Sequence, residues 1–271
     1  MKEAIVLLAD THINSRMGLC NPNVIDDDGN IYQQNVIQKW SWANWLECMD
    51  TIKNLTKGYK VNVILNGDIV DLDNCNRSTQ MVSRNPATIL KMAEVILSKL
   101  IKIKNDLFVT RGTEAHTGNS GWLEELMAHE FGAVKDPDTM QSSWWHLRAV
   151  FGGKKFDISH HVSLGGLPWT YAQGVMRLVQ ATRMDYLDWN EAPPDFVIRA
   201  HQHRYADSGT TFSTRGVCLP CWQYKPAYLY RTGKENSKPS IGAVVILCDK
   251  GQCELKPLLY EPKRGKVWES S

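Results

Sequence analysis

The chain has 271 residues, 43% of them hydrophobic and 22% charged, with a formal net charge of +2. That composition belongs to a globular chain able to bury a sizeable core, and it excludes a disordered or fibrous one. Near-neutral charge gives no global signature of nucleic-acid binding, although a local basic groove stays open, and no apolar run approaches the ~20 residues that cross a bilayer.

Residues 1–6 run straight into a strand-like segment without the pattern of a signal peptide. Residues 4–9 form a continuous apolar run, as expected of a strand covered on both faces. A polar loop follows over 13–35, with Asp28-Gly29 as its tight turn. Trp42, Trp45, Leu46, Met49, Ile52 and Leu55 recur at helical spacing, which predicts a helix over about 39–57 stopped by Gly58. A strand at 61–65, a helix at 87–104 and a strand at 106–110 come next. Asn119 or Ser120 then caps a helix with Trp122, Leu123, Leu126, Met127 and Phe131 on one face. Beyond it, strands are expected near 144–151, 155–160, 195–200, 214–222, 241–248 and 252–260. Asp249-Lys250-Gly251 turns between the last two, and a helix at about 173–189 interrupts the series. Alternating strands and helices followed by mostly strands predict an α/β fold over 1–271 as a single domain: a four-layer α/β/β/α sandwich of two mixed sheets with outer helices.

Five segments bearing histidine or aspartate end apolar runs in series. They are Asp10-Thr11-His12, Asn66-Gly67-Asp68, Arg111-Gly112-Thr113-Glu114-Ala115-His116, His160-His161 and His201-Gln202-His203. Carboxylates and imidazoles are ligands of borderline divalent ions. Two such ions ~3.5–4 Å apart can clamp the attacking and leaving oxygens of a phosphoryl transfer. One such pair alone is ordinary loop chemistry. Five in order read as a two-ion site at one edge of a sheet.

The order Asp-x-His, Gly-Asp, a Gly-Asn-His-like segment, His, and x-His-x-His resembles the signature of calcineurin-like metallophosphoesterases over about residues 5–205. The resemblance implies two divalent ions, Mn first, with Fe, Zn, Ni or Mg as alternatives. It implies Asp10, His12 and His203 on one ion, His160 and His201 on the other, and Asp68 shared between them. His160 is favoured over His161, because adjacent residues of a continuing strand point to opposite sides. Asp71 would hold a neighbouring histidine in its working tautomer. The third motif departs from the family: Thr113 stands where an asparagine ligand is usual, Glu114 is an alternative ligand, and His116 is the candidate proton donor. Arg111 and Arg204 are candidate phosphate contacts. The Arg-Gly-Thr-x-x-His form resembles uncharacterised phage and prophage members of the superfamily.

The implied activity is hydrolysis of a phosphodiester in DNA, RNA or a nucleotide by a metal-activated water. Leu72 stands where protein phosphatases of this superfamily carry a phosphate-gripping arginine, and the loop with Arg77 loosely resembles that of double-strand-break repair nucleases. A phosphomonoesterase and a catalytically silent binding module of the same fold are the alternatives. Seven cysteines without a framework fit a reducing cytosol, so a cytoplasmic protein without membrane association is expected. Cys218 and Cys221 are read as a packed strand end, and His129 and His146 as structural. Most of the tryptophans are read as core, with Trp40, Trp42, Trp45, Trp144 and Trp145 as candidates to stack bases.

Overall fold

A computed structural model describes residues 2–72, 80–162, 170–231 and 238–263, so the loop with Arg77 lies outside the described residues. Among the described residues, ten strands form two five-stranded sheets. The first has the order β10-β9-β1-β2-β3, built from β1 (Glu3–Leu8), β2 (Lys60–Asn66), β3 (Asp106–Thr110), β9 (Ile241–Asp249) and β10 (Gln252–Tyr260). Within it β1, β2 and β3 are parallel, while β9 runs antiparallel to both β1 and β10. The second sheet has the order β4-β5-β6-β8-β7: β4 (Leu147–Phe151), β5 (Lys154–Ile158), β6 (Phe196–Arg199), β7 (Ala206–Asp207) and β8 (Arg215–Cys218). There β5, β6 and β8 are parallel, and β4 and β7 are antiparallel edges.

The apolar run of β1 is continuous because its two faces enter different cores. Ile5, Leu7 and Ala9 join Ile64, Val244 and Ile246 against Leu147, Phe151, Phe156, Ile158, Phe196, Ile198 and Val217 of the other sheet. Val6 and Leu8 face the opposite way, into a core shared with α1 (Val36–Leu55), α2 (Pro86–Ile103) and α4 (Trp122–Glu130). Alternate side chains of a strand point to opposite faces, so one apolar segment can glue two layers. The inter-sheet core is lined with rings, with Phe156 stacked on Phe196 at 4.7 Å. On the outer face of the second sheet, Val175 of α5 (Tyr171–Asp188) packs on Ala206 and Cys218. Helices outside two face-to-face sheets make the four layers α/β/β/α.

Helix starts were the least legible boundaries. α1 begins three residues before its expected start because Asn35 and Gln38 form a reciprocal capping box. α4 is capped by Gly121 in the left-handed region after a 3-10 turn at Asn119–Gly121, not by Asn119 or Ser120. Its apolar face is also narrower than expected, since Trp122 and Leu126 are exposed. A four-residue α3 (Glu114–Thr117), α6 (Ala227–Arg231) and β7 were not foreseen. Cys248 and Cys253, opposite one another across the β9–β10 hairpin, are joined by a disulfide, which corrects the expectation of unpaired, scattered thiols. No helix among the described residues is long and apolar enough to cross a membrane.

Beneath β4–β6 lies a buried charge network. Asp157, 1% exposed, takes Arg199 Nη2 at 2.7 Å and Tyr186 Oη at 2.9 Å, and His146 Nε2 lies 3.0 Å away. Burial opposes its ionisation, but His146 and Arg199 hold the carboxyl well below its ordinary range. A depressed carboxyl stabilises the fold above its unfolded pKa of ~3.9, and that contribution is lost as pH falls through and below this value. Asp157→Asn should therefore cost roughly 3–5 kcal/mol at pH 7, because Arg199 is left buried without its charge partner. The gap from wild type should narrow towards pH 3 in urea unfolding. An equal gap at both pH values would refute an ionic role for Asp157.

Candidate metal centre

In open α/β sheets, groups beyond the carboxyl ends of parallel strands converge on one crevice. Here β1 delivers Asp10 and His12, β2 delivers Asp68, and β3 delivers Gly112 and Thr113, while β5 and β6 of the facing sheet deliver His160, His161, His201 and His203. Main-chain bonds tie these loops together: Asp10 N–H donates to Gly67 O and His12 N–H to Asp68 O, both at 3.0 Å, and Ala200 N–H donates to His160 O at 2.8 Å. Asp10, His12, Asp68, His201 and His203 all have φ between 43° and 69°. Left-handed backbone costs of order 1–3 kcal/mol per non-glycine residue and persists where the surroundings over-determine it, commonly at functional sites. Two glycines permit the approach. A Cβ on Gly67 would overlap the His160 ring, and one on Gly112 would overlap Asp68 itself.

Asp10, His12 and His203 form one group of potential ligands. His12 Nε2 and His203 Nε2 are 3.1 Å apart, and Asp10 Oδ1 lies 3.3 Å from His203 Nε2 and 3.8 Å from His12 Nε2. The other His12 nitrogen, Nδ1, is 2.8 Å from Asp71 Oδ1. A carboxylate accepts only, so Nδ1 carries the proton and Nε2 faces the centre. Asp71 Oδ1 also meets His116 Nδ1 at 2.9 Å, and the His116 ring stands edge-on to that of His12 at 4.6 Å. One carboxylate thus orients two rings, where the sequence led us to expect Asp71 to hold one.

Asp10, Asp68 and His160 make a second group that joins the first to a third, His160, His161 and His201. His160 Nδ1 donates to Asn66 O at 2.7 Å, which turns Nε2 onto Asp68 Oδ2 at 3.0 Å. Thr113 sits among them. Its N–H donates to Asp68 Oδ1 at 2.6 Å, and its Oγ1 lies 3.2 Å from Asp68 Oδ2 and 3.3 Å from both His161 Nε2 and His201 Nδ1.

Asp10, Asp68 and Asp71 are at most 1% exposed. Burial opposes each charge, yet the facing imidazoles hold all three carboxyls down, Asp71 at about 2. The counterpart appears on the rings. Burial alone would neutralise His12 and His160, but Asp71 raises the first to about 9 and Asp68 raises the second to about 10. His201 is pushed down to about 4 by burial and by His160, and His161 is lowered for the same reasons. Buried Asp10 Oδ1 accepts no hydrogen bond, although nitrogens of His12, His160 and His203 surround it at 3.3–3.8 Å. An unsatisfied carboxylate oxygen ringed by imidazole nitrogens is a donor set suited to a borderline divalent cation.

Of the residues singled out in the sequence, Asp10, His12, Asp68, His160, His201 and His203 converge, with Thr113 and His116 beside them. His161 converges too, against expectation. β5 ends at Ile158, so strand alternation no longer governs residues 160 and 161. Glu114 does not reach the centre: it is exposed and accepts Ser120 N–H at 2.8 Å. Arg111, 6% exposed, is no phosphate contact, because it is committed to Ser143 and the Ser120 carbonyl and lies over Trp145. Arg204 lays its guanidinium over Tyr171 at 4.3 Å, towards α5. Trp45 is fully buried, Trp40 and Trp42 pack on the same core, and Trp144 packs between the sheets. Cys218 and Cys221 are buried, and burial pushes both thiols up.

Sequence reading missed Glu124. It is fully buried on α4, and its two oxygens accept Ile69 N–H at 2.9 Å and Gly112 N–H at 2.7 Å, stapling the loops on either side of Thr113 and Asp68. Burial and the Asp68 charge raise it to about 7. The only signal in the sequence was a glutamate between Leu123 and Met127, which are buried.

No model of a known protein family matches the chain, and no curated protein matches it. Solved structures do align. Vps29 of Entamoeba histolytica, crystallised as the wild type with zinc, covers 94% of this chain and 98% of its own at 11% identity and a TM-score of 0.41. Vps29 of Cryptosporidium parvum covers 96% and 99% at 12% identity and 0.42. A protein of unknown function from Aquifex aeolicus covers 73% and 78% at 13% identity and 0.30. All three scores are below 0.5, so the fold assignment rests on the strand order and packing described above.

Glu124→Gln tests the staple. Glutamine offers one carbonyl oxygen and turns an NH2 group against the second amide. A loss of ~1–3 kcal/mol in urea unfolding is expected, the cost of one buried donor left unsatisfied. Unchanged stability would show that the two amides do not depend on this carboxylate.

Proposed function

We propose that this protein is a metal-dependent phosphoesterase with a dinuclear centre, acting on phosphodiester bonds of a nucleic acid or nucleotide. The observation that carries the reading is the buried Asp10 oxygen without a hydrogen bond, set between three imidazole nitrogens and adjoining a second cluster through Asp68 and His160. Asp10, His12 and His203 would hold one ion, and His160 and His201 the other, with Asp68 between them. When bound, the pair would supply a lowered water pKa and positive charge for the phosphoryl oxygens.

The chain's own residues do the rest. Asp71 and the Asn66 carbonyl fix the His12 and His160 tautomers, so both present Nε2 to the centre. Asp71 likewise holds His116 through Nδ1, which makes Nε2 the nitrogen that hands a proton to a leaving group. Diester over monoester is favoured by the fate of the cations. Leu72 is buried at the position after Asp71 and Arg111 is engaged elsewhere, so neither of these two positions offers a guanidinium for a doubly charged terminal phosphate, whereas Arg204 lies on Tyr171 with Nη2 unpartnered among the described residues. The Arg-Gly-Thr-x-x-His likeness to phage and prophage enzymes is carried by sequence alone.

Loaded with Mn, Zn or Co in turn, the protein should cleave bis-(p-nitrophenyl) phosphate in preference to p-nitrophenyl phosphate. A strong monoester preference would overturn the diester reading, and hydrolysis of neither would leave a binding module of this fold. Asp68→Asn should abolish turnover, and activity near wild type would refute its shared position. His116→Ala should slow poor leaving groups by ~10²–10⁴-fold and activated nitrophenyl esters far less, since only the former need a proton from the enzyme. Equal losses on both would refute the proton-donor role.

A further inference from the structure

His161 is the one member of the convergent set that neither strand alternation nor the family pattern assigns. Around Thr113 Oγ1 the structure gathers Asp68 Oδ2 at 3.2 Å, and His161 Nε2 and His201 Nδ1 at 3.3 Å each. His160 Nε2 adds a further nitrogen, 3.0 Å from Asp68 Oδ2. The Thr113 hydroxyl carries one proton and can donate to only one of its three neighbours. His161 Nε2 and His201 Nδ1 meet at this one oxygen, and each ring can turn a lone pair into the same space.

Ring nitrogens of His160, His161 and His201 all lie within 4.8 Å of one another. Metal–nitrogen bonds of ~2.0–2.1 Å place two nitrogens on one ion no more than ~4.2 Å apart, so small rotations of an exposed ring close the set. His161 is exposed and its chain has left β5, which gives it that freedom. A neutral hydroxyl such as Thr113's is a weak ligand compared with imidazole, and it serves better here as a hydrogen-bond bridge.

We infer that His161 is the fourth protein ligand of the second ion, beside Asp68, His160 and His201, with Thr113 bridging ligands instead of binding the metal. The inference rests on the two-ion reading above and deepens it by naming the kind of ion. Three imidazoles and one carboxylate form a nitrogen-rich set that suits Zn, Fe, Co or Ni, whereas Mg and Mn favour oxygen ligands. The ion beside Asp10 has one ligand nitrogen fewer, so the two positions differ in selectivity.

The test is metal stoichiometry and affinity on the full chain, by elemental analysis after dialysis and by Co(II) titration followed in the visible spectrum. Wild type should bind two ions. His161→Ala and His161→Gln should keep one and weaken the other by at least the ~10–100-fold that loss of a ligand's outer partner costs, with the cobalt spectrum changed for that ion alone. Thr113→Ala should bind both. Two ions bound with unchanged affinity and spectrum in both His161 variants would overturn the assignment and leave the two-ion reading intact, as would loss of the second ion in Thr113→Ala with retention in His161→Ala. Binding of no divalent ion by wild type would overturn the two-ion reading itself and this assignment with it. His161 is exposed, so the variants should unfold at the wild-type denaturant midpoint, which separates ligand loss from misfolding.

Discussion

Three carboxylates, Asp10, Asp68 and Asp71, lie buried around shared histidines, Asp10 beside Asp68 and Asp71 behind His12, and most of the surrounding architecture serves that arrangement. Desolvating an ionised carboxylate costs several kcal/mol even after relaxation, so three together require compensation by positive charge. Protons on His12 and His160 supply part of it, as their raised pKa values show. Protons compensate poorly at Asp10 Oδ1, which makes no hydrogen bond to any of the nitrogens around it. Protonated imidazole therefore carries the compensating charge, and any cation that displaced those protons would have to bring at least as much.

That balance explains why the loops are so tightly specified. Five site residues adopt left-handed backbone, a conformation that would relax if the loops were free. They are held by main-chain bonds between the β1, β2, β5 and β6 ends, by the close approach that Gly67 and Gly112 allow, and by Glu124 from below. Glu124 adds a fourth negative group beside Asp68, which is unfavourable electrostatically and is reflected in its raised pKa. Its retention there makes sense if positioning the Asp68 and Thr113 backbone outweighs the repulsion.

The fold was legible because periodicity reports directly on layering. The continuous run of β1 announced two covered faces, and the shift from alternating elements to strands announced a second sheet. The convergence of the candidate residues was legible for a related reason: Asp10, His12, Asp68, His160, His201 and His203 each follow the end of an apolar run, so the spacing of runs already encodes which strand ends meet. What was not legible depended on three-dimensional neighbours. Glu114 and Arg111 carry suitable chemistry at suitable positions in the sequence, but Glu114 caps the Ser120 amide and Arg111 is enclosed by Ser143, Ser120 and Trp145. Glu124 looked like a surface glutamate of a helix, and the Cys248–Cys253 pairing required knowing the hairpin register. The convergence of His161 was not foreseen, because a strand rule was applied beyond Ile158, where β5 ends.

The two walls of the centre differ in exposure, and that difference bears on how a substrate reaches it. Asp10, His12, Asp68 and His160 are at most 1% exposed and form the inner wall, anchored by Asp71 and the Asn66 carbonyl. The side chains of His116 and His203 are 23% and 24% exposed, and His161 is more open still. Groups that fix charge are thus on the protein side, and groups able to exchange protons or adjust their rings are on the solvent side. On the function proposed here, a phosphoryl group entering from solvent would meet His116 near the Asp10 cluster and His161 near the Thr113 cluster, with the buried carboxylates behind. The exposed rings are tied to the inner wall, His203 through His12 Nε2 at 3.1 Å, His161 through the Thr113 hydroxyl beside Asp68, and His116 through Asp71. The shared Asp71 carboxylate couples the orientation of His116 to that of His12, so the outer ring and the inner wall cannot be tuned independently.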